Sequence, residues 1–176
     1  TFKNSFNSTV GSGLLYLYDS FGSTESENLL SKIRYLAKGL GVRWVILDHL
    51  SIVVSGLETY DERKLIDITM TRLRSLVEET GIGLILVSHL RRPEGNKGYE
   101  DGVQTSLNAL RGSQAISQLA DCVIGLERDQ NDDENKKFTT VRVLKNRHVG
   151  DTGKCGTLFF NEDTSCLLET KERNDF

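Results

Sequence analysis

Asp48 closes an apolar run, Val45-Ile46-Leu47, and His49 follows it. Ser88-His89 closes a second apolar run in the same way. An acid carried rigidly at the end of a buried strand can hold a nucleotide-bound magnesium through water or a hydroxyl. A neighbouring imidazole can donate a hydrogen bond to a γ-phosphate and sense its loss. Each residue alone has a plainer reading: Asp48 fits equally well as a cap of the next loop, and His89 as a satisfied histidine at a sheet edge. Their adjacency shifts the balance, because two polar strand ends side by side face one crevice.

Cations form the second constellation. Lys145 and Arg147 stand two residues apart on a strand, hence on one face, ahead of a glycine-rich turn. Such a pair suits a phosphate, and an arginine at a domain edge can complete a neighbour's site. The plain alternative is the charged outer face of an edge strand. Arg91-Arg92-Pro93-Glu94-Gly95-Asn96-Lys97 makes a basic, flexible loop suited to a single-stranded backbone, although nearby acids dilute its charge. In Leu110-Arg111-Gly112-Ser113-Gln114, a glycine and a serine open a short helix that carries Gln118 and Asp121 one turn apart. The phosphate loop G-x-x-x-x-G-K-S/T is missing from the sequence; Gly153-Lys154 is followed by Cys155 and does not open a helix.

These residues need elements to hold them. Leu14–Tyr18 reads as a strand ending at Asp19, after a polar loop over 1–13. Thr24-Glu25-Ser26-Glu27 starts a helix as a capping box, and Leu29, Leu30, Ile33, Leu36 and Leu40 continue at helical spacing. Val42–Leu47 reads as a strand buried on both faces of a parallel sheet. A helix opening at Thr59-x-x-Glu62 carries the stripe Ile66, Met70, Leu73, Val77 and stops at Gly81. Ile82–Val87 is a third strand, a polar loop covers 90–105, and Ser113–Ala120 is a short helix. Cys122–Leu126 is a fourth strand, and Phe138–Leu144, Gly156–Phe160 and Cys166–Leu168 form an antiparallel meander. The alternation predicts an α/β fold: a parallel sheet flanked by helices, with a C-terminal β-meander.

The chain has 176 residues and a net charge of −3, so nucleic acid would have to meet local basic patches. Three dispersed cysteines without a C-x-x-C exclude a zinc knuckle and fit a reducing cytosol. No apolar run reaches membrane-spanning length. The chain starts with threonine, consistent with a piece of a longer protein.

Six segments in one order resemble the RecA-like motor domain of the DnaB-like replicative helicases: VILDHLSIVVS, DERKLID, LVSHLRRP, LRGSQAISQLAD, GLERDQ and VLKNRHVGDTG. The likeness is closest to the primase–helicases of T-seven-type bacteriophages and their mitochondrial relative Twinkle, and it runs from about Leu14 to Leu168. It implies a RecA-like sheet incomplete at its N-terminal side, with residues 1–176 forming the C-terminal part of the motor, Walker B acid onward. Asp48 would then hold Mg2+ with ATP or dTTP. His89 would sense the γ-phosphate, Gln118 would belong to the coupling apparatus, and Arg91, Arg92 and Lys97 would grip single-stranded DNA. Arg147 would be the arginine finger for the adjacent subunit, with Lys145 beside it. Arg128 and Phe160 would flank the base. Ser117 stands where the phage relatives carry arginine, and Phe160 where they carry another aromatic.

The implied protein is a head-to-tail hexameric 5′→3′ DNA helicase of replication. It would work in the cytoplasm of a host cell, ahead of a mitochondrial location, without a membrane partner and with other replisome proteins at hand. Its phosphate loop and catalytic glutamate would precede Thr1, leaving the isolated chain inactive. A RecA- or KaiC-like ATPase is the first rival. A non-catalytic remnant that docks onto complete helicase subunits is the second.

Overall fold

The structure, a computed structural model, describes residues 2–18, 26–51, 62–93, 95–111 and 114–170. Its helices are α1 (Phe2–Ser8), α2 (Ser26–Leu40), α3 (Glu62–Thr80) and α4 (Gln114–Leu119). Its strands are β1 (Trp44–Leu47), β2 (Gly83–Leu86), β3 (Cys122–Glu127), β4 (Phe138–Asn146), β5 (Gly153–Asn161) and β6 (Cys166–Thr170). The helix starts read at Thr24, Thr59 and Gly112-Ser113, the strand end at Asp19, and Glu94 lie outside the described residues.

Periodicity accounts for the core. Leu30 and Ile33 of α2 meet Ile66, Met70, Leu73 and Leu76 of α3, with Leu50, Ile82 and Ile116 closing the cluster. Each such aliphatic side chain, fully buried, contributes about 1.5–3 kcal/mol. Both long helices end at a glycine with positive φ, Gly41 at 68° and Gly81 at 71°. The Val42 N–H returns to the Leu36 carbonyl and the Gly81 N–H to the Val77 carbonyl, so the last turns are satisfied and the chain enters β1 and β2 directly.

β1 and β2 pair in parallel, Trp44 opposite Gly83 through Leu47 opposite Leu86. A Cβ on Gly83 would lie 2.3 Å from the Trp44 ring, so any larger residue there would displace that ring. Val45 and Leu47 face the core, whereas Trp44 and Ile46 are 67% and 69% exposed. The expectation of a strand buried on both faces is therefore corrected: among the described residues nothing covers the second face. Three further readings change. Residues 2–8 form a helix where a loop was expected. Leu14–Tyr18 is exposed, and among the described residues this apolar run pairs with no strand. Cys122–Glu127 pairs antiparallel with β4, making the sheet β3-β4-β5-β6, and among the described residues it forms no ladder with β2. Alternation marks a strand without fixing the sense of its pairing.

Candidate functional site

The parallel register brings the two polar strand ends together. The Val87 N–H bonds to the Leu47 carbonyl at 2.9 Å, and the Leu50 N–H to the Val87 carbonyl at 3.1 Å. Asp48-His49 and Ser88-His89 thus leave the sheet side by side. The His49 and His89 rings meet edge to face, centroids 4.1 Å apart. Asp48 and His89 are exposed, and Nδ1 of His49 is buried without a partner among the described residues. Asp48 makes no hydrogen bond or ion pair among them.

The basic loop is less free than its sequence implies. The Arg91 N–H bonds to the Ala109 carbonyl at 2.8 Å, Leu90 bridges Leu110, and the Arg91 guanidinium donates to the Asn108 carbonyl. At the far end the Gly98 N–H donates to Asp101 at 2.7 Å, and Asp101 accepts from Asn131 at 2.6 Å. Those two bonds hold the Asp101 carboxyl below its ordinary range, the Gly98 contribution being the larger. Between these anchors Arg92 and Lys97 are exposed. Arg91 also lines a cavity of about 910 Å³ with Arg63, Asp67, Arg111, Gln114 and Gln118.

Lys145 and Arg147 turn toward the same short helix. Lys145 Nζ donates to the carbonyls of Ser117, Gln118 and Ala120 at 2.7, 3.1 and 2.8 Å. A cation on the last carbonyls of a helix is well placed against its dipole. Arg147, in the turn after β4, donates to the Gln118 carbonyl at 2.7 Å and to Asp121 Oδ1 at 2.8 Å. The Gln118 side chain is exposed while its carbonyl takes both cations. Asp121 also accepts from Arg74 of α3 at 2.7 Å, and that bond is the main reason its carboxyl lies below the ordinary range.

Arg128 and Phe160 are not brought together in the cavity that Arg128 borders. That cavity, of about 440 Å³, is also lined by Glu127, Phe138, Thr140 and Thr157, and Phe160 is not among its walls. Register sets Phe160 opposite Leu167 and Phe159 opposite Phe138, so Phe160 is on the pleat face opposite Phe138. The cavity wall instead contains a buried ionic group that sequence reasoning missed. Glu127, 8% exposed, accepts from Arg142 at 2.8 Å and from the Thr105 N–H and hydroxyl at 2.8 and 2.7 Å. Burial pushes its carboxyl up, and the Arg142 and Thr105 bonds outweigh that and leave it lowered. Gly125 leaves room for Thr105, since a Cβ there would lie 2.1 Å from the Thr105 hydroxyl.

For a metal, the donor set decides. Among the described residues no cluster of three or more His, Cys, Asp or Glu could hold an ion. Magnesium borne by a nucleotide takes one or two carboxylates and completes its shell with phosphate oxygens and water. The single exposed carboxylate of Asp48 fits that mode and not a protein-only cage. The three cysteines are free and exposed. Among the described residues no helix is long and apolar enough to cross a membrane.

Comparison with known proteins agrees with the sequence resemblance. The family model described as DnaB-like helicase C terminal domain matches residues 5–167. The DNA helicase/primase of Enterobacteria phage T3 is 43% identical over 166 residues, 94% of this chain and 29% of that protein. The replicative DNA helicase DnaC of Bacillus subtilis (strain 168) is 28% identical over 152 residues, 84% of this chain and 32% of that protein. The chain therefore spans about a third or less of these relatives. Among solved structures, a DnaB-like replicative helicase studied with primase superposes at a TM-score of 0.69 with 22% identity, over 88% of this chain and 36% of that one. A KaiC-like protein from Pyrococcus horikoshii OT3 superposes at 0.64 with 16% identity, over 94% of this chain and 66% of that one. Both likenesses support the RecA-like α/β fold.

Proposed function

The chain belongs to the family of DnaB-like helicase C-terminal domains, and on that premise we propose that it is part of a ring-forming, nucleotide-driven 5′→3′ DNA helicase. The observation that carries the reading is the side-by-side exit of Asp48-His49 and Ser88-His89 from two hydrogen-bonded parallel strands. That edge is where open α/β sheets bind ligands. On this reading Asp48 holds Mg2+ on ATP or dTTP. The ion neutralises charge on the β- and γ-phosphates when bound. His89 donates to the γ-phosphate, braced by the His49 ring. Its carbonyl accepts the Arg111 N–H at 2.9 Å, which connects the strand end to the segment leading into α4 and Gln118. Arg91, Arg92 and Lys97 hold the phosphates of single-stranded DNA.

Arg147, with Lys145 beside it, serves the nucleotide of the adjacent subunit in a head-to-tail ring, a hexamer in this proposal. Cations there lower the cost of charge building on the transferring phosphoryl group. Arg128 and Phe160 are assigned to the base only in the assembled ring. The phosphate loop and general-base glutamate lie in the parent protein outside this chain. The apolar face of Trp44, Ile46 and Ile85, left uncovered among the described residues, supports that assignment, since strands of a parallel RecA-like sheet are covered on both faces. The isolated chain would then turn over no nucleotide. The phage relative supports a host-cytoplasmic setting.

A strand-displacement assay on the complete parent tests the proposal. Nucleotide-dependent unwinding from the 5′ side is expected. Hydrolysis without strand separation would favour the KaiC-like reading, and a start codon immediately upstream of the Thr1 codon would favour a docking remnant.

A further inference from the structure

The corner between α4, β3 and β4 holds a carboxylate that the roles above leave unused. Asp121 grips Arg147 at two points. Its main-chain carbonyl accepts the Arg147 N–H at 2.8 Å. Its Oδ1 accepts from the Arg147 guanidinium, also at 2.8 Å. One residue therefore fixes both where this side chain begins and where its charge lies. Oδ2 of Asp121 accepts from Arg74 Nη1 at 2.7 Å. Arg74 projects from α3 next to Leu73, which is 1% exposed, so the clamp is rooted in the helix that carries most of the core.

The geometry restrains Arg147 without consuming it. A guanidinium has five N–H groups, and the bonds to Asp121 and Gln118 use one on each terminal nitrogen. The side chain remains 43% exposed, so donors are left for an incoming oxyanion. Two arginines share the one carboxylate, and Arg74 is paired with Glu78 at 2.9 Å as well. An arginine free to sample many rotamers would have to be ordered at each turnover; one already clamped delivers its donors preorganised.

We propose that Asp121 is the positioning residue of Arg147, presetting its guanidinium for the neighbouring subunit's nucleotide, and that Arg74 holds Asp121 in place. This rests on the reading of Arg147 as a cation acting across the subunit interface. Asp121 touches no substrate, so its effect is on the rate and not on nucleotide affinity.

The test uses rings of the complete parent protein. Asp121→Asn should lower DNA-stimulated kcat about tenfold while KM and single-strand affinity stay within about twofold, and Arg74→Gln should act in the same direction by less. Asp121→Asn subunits are then mixed with Asp48→Asn subunits, which cannot complete their own site but offer an intact Arg147. Turnover above the sum of the two separate rings is the expected result. Turnover equal to that sum would overturn the proposal, because a defect in a subunit's own folding or DNA grip is not repaired by its neighbour. Mixing Arg147→Ala with Asp48→Asn is the control. If that pair fails to complement, the cross-subunit reading of Arg147 falls; if it succeeds while Asp121→Asn fails, only the positioning role falls. Should Asp121→Asn not assemble, Asp121→Glu keeps the charge one methylene away and carries the same mixing test, with the same outcomes.

Discussion

Asp48 and Asp121 are both acids beside a strand end, and the fold treats them oppositely. Asp48 leaves β1 exposed and makes no bond among the described residues. Asp121 enters β3 bound to two arginines from two other elements. The same contrast extends to their neighbours. His89 keeps an exposed ring, while Lys145 is bonded to three carbonyls and Arg147 to a carbonyl and a carboxylate. The strand-end side of the candidate site is open and incomplete within one chain. The cationic side is assembled before any partner arrives. The proposed division of the site between subunits would use this asymmetry: a half that reached across an interface would have to be stiff, and a half that received nucleotide would have to be free.

The largest expected effect breaks the comparison at its cationic side. Arg147→Ala in the complete protein should cut DNA-stimulated turnover roughly a hundredfold or more, at least about 3 kcal/mol in the barrier, with nucleotide binding largely intact. Near-normal turnover in steady-state kinetics would remove the finger assignment. Stability sharpens the contrast next. Gly125→Ala, which presses a methyl onto the Thr105 hydroxyl bound to Glu127, should cost about 1–3 kcal/mol in denaturant unfolding. Asp48→Asn should shift the same transition by no more than about 0.5 kcal/mol.

DNA binding comes third. Arg91→Ala together with Arg92→Ala should weaken single-strand affinity and reduce the slope of log K against log salt by about 1.4, two phosphate contacts' worth. An unchanged slope would make the loop an ordinary solvated surface. The smallest effect is a control far from both corners. Hydrogen bonds from Arg34 and then Lys38 hold the Glu79 carboxyl at about 2, against an ordinary 4.5. A lowered carboxylate contributes stability above its ordinary pKa and loses it as pH falls from about 4.5 toward 2. Glu79→Gln should flatten that part of an acid-unfolding curve and leave turnover at neutral pH unchanged.

What the sequence made legible follows the range of the forces involved. Helical stripes placed α2 and α3, and the stripe residues Ile66, Met70 and Leu73 are buried. Glycines and polar turns bracketed the meander, and the two polar strand ends proved to be neighbours. Residues 2–8 carry only the pair Phe2 and Phe6 as a helix signal, one turn apart and stacked at 6.3 Å, which is too little to outweigh their polar surroundings. Leu14–Tyr18 has a strand's composition but no partner among the described residues, and a strand is defined by its partner. The ionic fastenings were invisible for another reason. Arg74 meets Asp121, and Thr105 meets Glu127, across long stretches of chain, and no periodicity announces such a pair. Lys145 and Arg147 were read as neighbours on one strand face, but β4 ends at Asn146 and Arg147 stands in the turn that follows; what the two share is the C-terminal end of α4, whose carbonyls both cations reach.

The central claim is that one nucleotide site is built from two copies, Asp48 of one and Arg147 of the next. Rings assembled from equal amounts of Arg147→Ala and Asp48→Asn subunits of the complete protein test it most directly. Random head-to-tail assembly leaves about a quarter of the interfaces with both residues intact. DNA-stimulated turnover should therefore return to about that fraction of the unmodified ring. Turnover no higher than that of the two inactive proteins measured separately would contradict the account.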